Sequence, residues 1–281
     1  CLALLGPNGA GKTRRVRDIA GRVRLDSGTI EFTRGTTNQS DRPAHGHLGV
    51  VPQDIALYPA LTARENLRAF GEFNGVRGST LQSKIDWALE WSGLANRARE
   101  PIKHFSGGMK RRLNIACGVI HDPEIVLLDE PTVGVDPQSR QRIWEMMREL
   151  QSNGASLLLT THQLDEAESI CDRIVIIDHG KVIAAGSLDA LINDTIGRAR
   201  RVSLTLDQPL ADGLDQSTQW DDRLETDGSL VHYRTEDVAV DLPPLLQAIH
   251  DANRRVQDVS IETPSLHRVF IHLTGRTLRE G

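Results

Sequence analysis

Residues 6–13 restrict the possible folds of this chain more than any other segment. They read GPNGAGKT, which matches the pattern G-x-x-x-x-G-K-T at every position, and they follow the apolar run Leu2–Leu5. In this pattern the glycines let backbone N–H groups surround a polyphosphate, the lysine reaches its outer phosphates, and the threonine hydroxyl can hold Mg²⁺. The segment therefore predicts a strand, a phosphate-binding loop and a helix. The candidate binding residues are Gly6, Pro7, Asn8, Gly9, Ala10, Gly11, Lys12 and Thr13.

A Ser-Gly-Gly run begins a second informative segment, residues 105–136. Ser106, Gly107 and Gly108 stand at the start of a predicted helix, where free N–H groups and the positive end of the helix dipole favour an anion. The spacing of apolar residues predicts that this helix buries one face. That face carries Leu113, Ala116, Cys117 and Ile120, whereas Lys110, Arg111 and Arg112 are predicted to face away from it.

Two acidic residues follow an apolar strand in the same segment. Residues 125–128 form a run short enough to be a buried parallel strand, so Asp129 and Glu130 are expected at its carboxyl end. Open α/β sheets bind their ligands at that end of the strands. A helix start that favours phosphate, close to two acids, indicates nucleotide chemistry.

Two further residues matter because of where they stand. Asp136 directly precedes Pro137, and the two are predicted to be the N-cap and the first residue of a helix. His162 follows residues 156–160, which are predicted to form another buried strand. A lone histidine is usually a core or surface residue, and it is the order of the surrounding motifs that favours a functional role here.

These features together resemble the nucleotide-binding subunit of ABC transporters. The P-loop, the Ser-Gly-Gly helix, the LLDE strand at residues 127–130 and the Thr-His pair at residues 161–162 follow one another in the order of that family. The resemblance implies an α/β fold, with a P-loop NTPase core that has a mostly parallel sheet and a helical insert. It also implies a motor subunit that uses ATP and Mg²⁺ and drives transport through a separate membrane subunit.

The resemblance also implies roles for the candidate residues within one subunit. Glu130 is the general base or positions the attacking water, and His162 contacts the γ-phosphate. Gln53 reaches both Mg²⁺ and the water. Thr13 holds Mg²⁺ directly, and Asp129 orients it through water.

The family works as pairs of subunits, and each ATP lies between the P-loop of one subunit and the Ser-Gly-Gly helix of the other. The implied partners are a second ATP-binding subunit, identical or different, and a membrane-spanning permease subunit. The residues that would act across the pair are Ser106, Gly107, Gly108 and Asp136.

Charge and composition limit the remaining partners. The net charge is −5 and the pI is about 6.1, so no basic field favours nucleic acid. Three widely separated cysteines indicate a reducing compartment. No apolar run approaches the roughly 20 residues that span a bilayer. We expect a peripheral protein on the cytoplasmic face of the cell membrane.

The chain begins inside its first predicted strand, and the resemblance implies upstream strands, so we expect an amino-terminal truncation.

Two domains are predicted. Residues 1–196 form the nucleotide-binding domain, with a helical subdomain at about residues 54–120, and a change in composition at GRARR, residues 197–201, begins an α+β accessory domain at 197–281. The segment PSLHRVFIHLTGR near the end resembles the carboxyl-terminal appendage of ABC-2 type exporter ATPases. The accessory domain is predicted to contain strands at 202–206, 229–234 and 256–261 and helices at 244–254 and from 263 onward.

Several local features are also predicted. Residues 29–32 are predicted to form a strand and residues 35–46 a polar surface loop. Trp87 and Trp91 either pack within the helical insert, which we favour, or help to receive a helix of a membrane subunit. Two capping boxes are predicted, one pairing Thr62 with Glu65 and one pairing Ser79 with Gln82.

The sequence departs from the family directly after the P-loop, where Arg14, Arg15 and Arg17 replace small or apolar residues. Arg14 either adds charge against an inner phosphate or, as we favour, pairs with a carboxylate or points to solvent. Three alternative functions stay open at this point. They are phosphate transfer to a second substrate by a P-loop kinase, a soluble ABC-type ATPase with a non-membrane partner, and an inactive truncated subunit.

Overall fold

The computed structural model describes residues 1–32, 47–210 and 223–275, and these residues form two compact units. The first unit comprises Cys1–Ser187. The second begins at Leu188 rather than at residue 197, so the helix at residues 188–195 belongs to it. The predicted surface loop at 35–46 lies outside the described residues.

A six-stranded sheet organises the first unit. Its order is β2-β3-β4-β1-β5-β6, and every neighbouring pair is parallel except β5 and β6, which form an antiparallel hairpin. Parallel strands that are covered on both faces are built from nearly continuous apolar residues, as β3 and β4 are here. The strands are β1 (Leu2–Leu5), β2 (Leu48–Val51), β3 (Ile125–Asp129), β4 (Ser156–Thr161), β5 (Arg173–Asp178) and β6 (Lys181–Gly186).

Six α-helices accompany this sheet among the described residues. Helices α2 to α4 build the predicted helical insert, and their apolar faces join those of β2, β3, β4 and α5 in one buried cluster. The insert and the sheet are therefore held by the same core. The helices are α1 (Lys12–Ile19), α2 (Ala63–Phe73), α3 (Gly78–Trp91), α4 (Gly107–Val119), α5 (Pro137–Ser152) and α6 (Leu164–Ile170).

The helix starts confirm one predicted capping box and correct the other. Thr62 and Glu65 form both reciprocal hydrogen bonds at the start of α2. Helix α3 instead begins at Gly78 with Arg77 as its N-cap, so the predicted pair of Ser79 and Gln82 was wrong. The Gln82 side chain donates to a carboxylate one turn ahead in the same helix, which is an equally local partner for it.

The predicted packing of Trp87 and Trp91 within the insert is confirmed. Trp87 and Trp91 stack with their ring centroids 5.0 Å apart, and Trp91 is buried, so the pair packs within the insert.

The predicted strand at residues 29–32 does not form, and Ile30 and Phe32 are exposed. A strand needs a neighbour for its backbone hydrogen bonds, and none of the described strands pairs with this segment.

The second unit contains a four-stranded antiparallel sheet with the order β10-β7-β9-β8. Buried apolar residues of β7 and β9 pack against Leu245 and Ile249 of α8, which makes the small core of this unit. The elements are α7 (Leu188–Thr195), β7 (Arg200–Leu206), β8 (Leu224–Asp227), β9 (Leu230–Thr235), α8 (Val238–Asp251), β10 (Val256–Glu262) and α9 (Leu266–Thr274).

The second unit differs from prediction at several elements. Helix α7 was not predicted, and helix α9 begins at Leu266, with Ser265 as its N-cap, rather than at residue 263. Strand β8 was not predicted, because its sequence LETD has only one apolar residue. Helix α8 begins at Val238 and not at residue 244, because Asp237 accepts hydrogen bonds from two backbone N–H groups of its first turn. Pro243 and Pro244 lie inside the helix, although proline is more typical of a first helical turn.

Candidate functional site

Glycine is required at three positions of the P-loop. Gly9 and Gly11 have φ of 82° and 96°, in the left-handed region that side chains disfavour. Gly6 stands against the next strand, where an added Cβ would lie 2.3 Å from the carbonyl oxygen of Ile177. The loop therefore joins β1 to α1 in a conformation that presents backbone rather than side chains.

Lys12 is the first residue of α1, and its side chain folds back over the loop. Its Nζ donates to the carbonyl oxygens of Gly6 at 2.7 Å and Pro7 at 3.1 Å. It also lies 3.7 Å from Oε1 of Glu130. Burial lowers the pKa of Lys12, and the carboxylates of Glu130 and Asp129 oppose this effect. The lysine is thus a positive charge held beside the loop.

Asp129 ends β3 and is fixed by two hydroxyl groups. The Thr160 hydroxyl, on the neighbouring strand β4, donates to Oδ1 of Asp129, and the Thr13 hydroxyl donates to the same oxygen at 3.1 Å. Strands β3 and β4 pair in parallel with Asp129 opposite Thr160. The register of the sheet therefore brings the acid to the start of α1.

Glu130 follows Asp129, and side chains from three different segments approach its carboxylate. Gln53 Nε2 donates to Oε2 at 3.0 Å, His162 Nδ1 lies 3.3 Å from Oε1, and Lys12 approaches the same Oε1. The backbone N–H of Glu130 donates to the carbonyl oxygen of Thr160 at 3.1 Å. Its φ of 47° is unusual for a residue other than glycine. Strained backbone of this kind is concentrated at functional sites.

These residues surround a cavity of about 470 Å³. Its walls carry backbone N–H groups, cations and a carboxylate, which suits a polyphosphate better than an apolar ligand. The lining residues are Asn8, Gly9, Gly11, Lys12, Thr13, Arg14, Gln53, Glu130, Val133 and His162.

Arg14 lines the cavity, but its guanidinium is directed to a carboxylate. Its Nη2 lies 3.3 Å from Oδ2 of Asp26, and both side chains are largely exposed. This confirms the interpretation in which Arg14 pairs with an acid. An exposed pair of this kind contributes little to stability.

The Ser-Gly-Gly helix start and Asp136 lie together, and they are not among the residues that line the cavity. Ser106 is the N-cap of α4 and accepts from Met109 N, and Asp136 is the N-cap of α5 and accepts from Ser139 N at 2.9 Å. Gly108 packs against Ser139 so closely that a Cβ there would lie 2.1 Å from its Oγ. The starts of the two helices are therefore in contact.

Comparison with known proteins identifies the family. A model described as ABC transporter matches residues 1–133. The linearmycin resistance ATP-binding protein LnrL of Bacillus subtilis is 39% identical over 286 residues, which cover 99% of this chain and 90% of that protein. The chain belongs to the ABC transporter family. It is an ATP-binding and ATP-hydrolysing motor subunit of the exporter type, and the P-loop kinase alternative is therefore excluded.

Other similar proteins agree with this family. The daunorubicin resistance ATP-binding protein DrrA3 of Streptomyces coeruleorubidus is 35% identical and is aligned over 97% of this chain and 86% of its own length. The Nod factor export ATP-binding protein I of Paraburkholderia xenovorans is 36% identical and is aligned over 100% of this chain and 90% of its own length. A solved ATP-binding subunit of an ABC transporter superposes with a TM-score of 0.60 at 32% identity, over 69% of this chain and 80% of that chain.

The residues of this ABC ATPase fit a magnesium ion beside the P-loop. Mg²⁺ prefers oxygen ligands, usually one or two from the protein together with water and substrate phosphates. The Thr13 hydroxyl and the Asp129 carboxylate lie 3.1 Å apart, and the Gln53 side-chain amide lines the same cavity. All three side chains offer oxygen atoms, so the donor chemistry agrees with the predicted metal.

Helix α4, which begins at the Ser-Gly-Gly run, differs from the prediction at its basic residues. Arg111 was predicted to face away from the core, yet it is only 5% exposed and donates to the carbonyl oxygens of Pro52 and Gln53. Arg112 is half-buried and donates to the carbonyl oxygen of Ser92. A guanidinium group can be buried where it reaches backbone carbonyls outside a helix or sheet, and apolar periodicity does not reveal such partners.

Glu166 is a buried acidic residue for which the sequence predicted no role. It is 1% exposed and accepts from the Thr132 hydroxyl at 2.7 Å and from Trp144 Nε1 at 3.4 Å. Burial raises the pKa of its carboxyl group, and these hydrogen bonds oppose that effect. Glu166 thus joins α6, α5 and the turn after Glu130. Its place in the run LDEAE after His162 was the only available signal.

Among the described residues, no helix is both long enough and apolar enough to cross a bilayer.

Proposed function

We propose that this subunit hydrolyses ATP in the cavity between the P-loop and Glu130. The observation that carries this assignment is the convergence of Gln53, His162 and Lys12 on the Glu130 carboxylate, from 3.0 to 3.7 Å. A carboxylate held beside a polyphosphate loop by groups from separate segments is suited to orient a water molecule and to accept its proton.

The phosphates of ATP would be bound by the amides of the P-loop and by Lys12. The open N–H groups at the start of α1 and the positive end of its dipole act in the same direction. Thr13, Asp129 and Gln53 would hold Mg²⁺. When bound, this ion would supply positive charge against the phosphates of ATP.

Hydrolysis then needs one nucleophile and one base. The water oxygen forms a bond to the γ-phosphorus, the bond from that phosphorus to the bridging oxygen of ADP breaks, and Glu130 takes a proton from the water. Gln53 positions the water, and His162 donates a hydrogen bond to the γ-phosphate. Lys12 offsets negative charge on the outgoing phosphate oxygens.

A second subunit would complete the site. The exposed start of α4 at Ser106 and Gly107 does not line the cavity of its own chain, yet its free N–H groups favour an anion. We propose that these groups contact the ATP of a partner subunit, and that Asp136 communicates between the two sites. The pair would close on two ATP molecules and open after hydrolysis.

A membrane-spanning permease subunit is the proposed partner on the transport side, with this protein on the cytoplasmic face of the membrane. The helical insert supports this docking role because it presents exposed aromatic residues. Phe73 is 89% exposed and Tyr58 is 57% exposed. We propose no nucleic-acid partner, in keeping with the net charge of −5.

The test is the solution mass of Glu130→Gln with and without Mg-ATP. This substitution removes the base and keeps the shape, so turnover should fall by roughly 10²-fold or more while ATP binding is retained. We expect the variant to be a monomer without ATP and a dimer with it. Glu72→Gln, an exposed carboxylate on α2, is the matched control and should hydrolyse ATP at the unsubstituted rate.

Two results would contradict the proposal. A Glu130→Gln protein that hydrolyses ATP at the rate of the Glu72→Gln control would remove the role of Glu130. A dimer that forms equally with and without Mg-ATP would show that nucleotide does not close the pair.

A further inference from the structure

Helix α4 presents a buried polar face to the segment that follows β2. Arg111 and Asn114 lie three residues apart, which places them on neighbouring turns of one face. They are 5% and 3% exposed. Polar side chains buried to this degree normally have hydrogen-bond partners, and these partners identify what this face holds.

The partners are backbone groups of residues 52–56. Arg111 Nη1 donates to the carbonyl oxygen of Pro52 at 3.0 Å, and Nη2 donates to that of Gln53 at 2.6 Å. Asn114 Oδ1 accepts from the N–H of Ala56 at 3.2 Å. Arg111 and Asn114 therefore fix the backbone on both sides of the Gln53 side chain.

The contact made by Arg111 is of the strong kind. A guanidinium that binds two adjacent carbonyl oxygens has a fixed, planar geometry, and hydrogen bonds from a cation are stronger than those between neutral groups. The carboxylates of Asp54, Asp129 and Glu130 lie near enough to offset part of the burial of this cation. The charge is thus compensated in place, which allows it to remain buried.

The side chain of Gln53 continues this path to the catalytic carboxylate. Its Nε2 donates to Oε2 of Glu130 at 3.0 Å, while its own carbonyl oxygen is held by Arg111. Two consecutive contacts therefore join α4 to Glu130. We propose that Arg111 is a positioning residue for ATP hydrolysis, which acts through Gln53 to hold that side chain against Glu130.

This proposal rests on the function proposed above, and it adds a consequence. The start of α4 is the part that would contact the ATP of a partner subunit, and Arg111 lies in the second turn of the same helix. A small rotation or shift of α4 would move the Gln53 backbone with it. The state of one ATP site would then be transmitted to the water-positioning group of the other.

A double-mutant cycle tests whether Arg111 acts through Gln53. The proteins are the unsubstituted chain, Arg111→Met, Gln53→Ala and the double variant, and kcat and KM for ATP are measured for each. We expect Arg111→Met to lower kcat by about 10- to 100-fold, because misplacement of a catalytic group by about 1 Å has effects of this size. KM should change much less than kcat. In the Gln53→Ala background, the same substitution should change kcat by less than about 2-fold.

Arg112→Met is the matched control. Arg112 is the adjacent residue of α4, and its guanidinium also donates to a backbone carbonyl, but that carbonyl belongs to Ser92 in the helical insert. Its effect on kcat should be small and should be the same with glutamine or alanine at position 53.

Arg111→Lys keeps the test informative if Arg111→Met does not fold. Lysine retains the charge but cannot bind two carbonyl oxygens in the fixed planar geometry of arginine, so we expect an intermediate kcat and an unfolding midpoint close to that of the unsubstituted chain. The same cycle with Gln53→Ala then applies to it.

The proposal is overturned if Arg111 and Gln53 substitutions multiply independently, because Arg111 would then act on the fold and not through Gln53. It is also overturned if KM rises while kcat is unchanged. These results differ from failure of the proposed function, in which the Glu130→Gln protein would hydrolyse ATP normally whatever residue stands at position 111.

Discussion

Gly107 and Gly108 are consecutive residues at the start of α4, yet an added methyl group would meet different surroundings at each. At Gly108 a Cβ would lie 2.1 Å from Oγ of Ser139, 2.5 Å from its Cβ and 3.0 Å from Oδ2 of Asp136. At Gly107 nothing lies within 4 Å. Neither glycine has a positive φ, so alanine is compatible with the backbone at both positions.

The expected difference in stability follows from these distances. Forcing a methyl group into a packed contact costs about 1–3 kcal/mol, and alanine in a helix recovers up to about 1 kcal/mol relative to glycine. Gly107→Ala has only the favourable contribution. Gly108→Ala has both, so it should be less stable than Gly107→Ala by about 1–3 kcal/mol.

Denaturant unfolding followed by tryptophan fluorescence measures this difference. Adding Ser139→Gly to Gly108→Ala removes the clashing side chain and should recover most of the lost stability. The backbone N–H of residue 139 is kept, so it can still donate to the Asp136 carboxylate. Equal unfolding free energies for Gly107→Ala and Gly108→Ala would refute the packing argument.

Gly107→Ala should impair ATP-dependent pairing of subunits even though it does not lower stability. The space around this residue is open, and under the proposed mechanism it is where a phosphate of the partner's ATP approaches. Gly107→Ala should therefore keep its stability and still weaken the ATP-dependent dimer of the Glu130→Gln protein, as measured by solution mass. An unchanged dimer would mean that no ligand approaches this glycine closely.

Three further predictions concern single side chains. Lys12→Ala should weaken ATP binding by about 10-fold or more, because a charged hydrogen-bond donor to the phosphates is lost, and equilibrium titration would show this. Glu166→Gln should gain stability relative to the unsubstituted chain as the pH rises from about 5 to about 8, in denaturant unfolding. The reason is that a buried carboxyl with a raised pKa binds more protons folded than unfolded in this window, so its ionisation destabilises the fold. Thr62→Ala should lower the unfolding free energy by about 1 kcal/mol through loss of the capping box of α2.

The edge of the sheet that carries the candidate site could be predicted because its determinants are local. An apolar run followed by two acids gave β3 with Asp129 at its end, and a second run gave β4 just before His162. Parallel strands place their carboxyl ends at one edge, so the sequence was sufficient to bring these residues to the P-loop. The observed pairing of Asp129 with Thr160 agrees with this reasoning.

The buried polar residues could not be predicted in the same way. Arg111 lies in a helix whose apolar stripe is clear, and periodicity assigns every polar residue to the outside. Its actual partners are the carbonyl oxygens of Pro52 and Gln53, 59 and 58 residues earlier in the chain. Glu166 similarly accepts from Trp144, 22 residues away. Contacts of this range depend on tertiary packing, which no local pattern contains.

The second unit shows a related limit. Strand β8 pairs with β9 along four residues, although its sequence has little apolar content. As an edge strand it has a single neighbour, and its side chains are mostly exposed. An edge strand of this kind needs no apolar alternation, so the pattern that revealed β7 and β9 was absent from it.

Under the proposed mechanism, the distance from Gln53 to Glu130 limits how far α4 can move before ATP hydrolysis is affected. Its Nε2 lies 3.0 Å from Oε2 of Glu130, and a hydrogen bond of this type is lost beyond about 3.5 Å. The backbone on both sides of Gln53 is held by Arg111 and Asn114, so the segment moves with the helix. A displacement of α4 by about 0.5 Å away from Glu130 is therefore enough to release this contact, unless the Gln53 side chain changes rotamer to follow it. Under the proposed mechanism, this margin of about 0.5 Å makes ATP hydrolysis sensitive to small movements of α4.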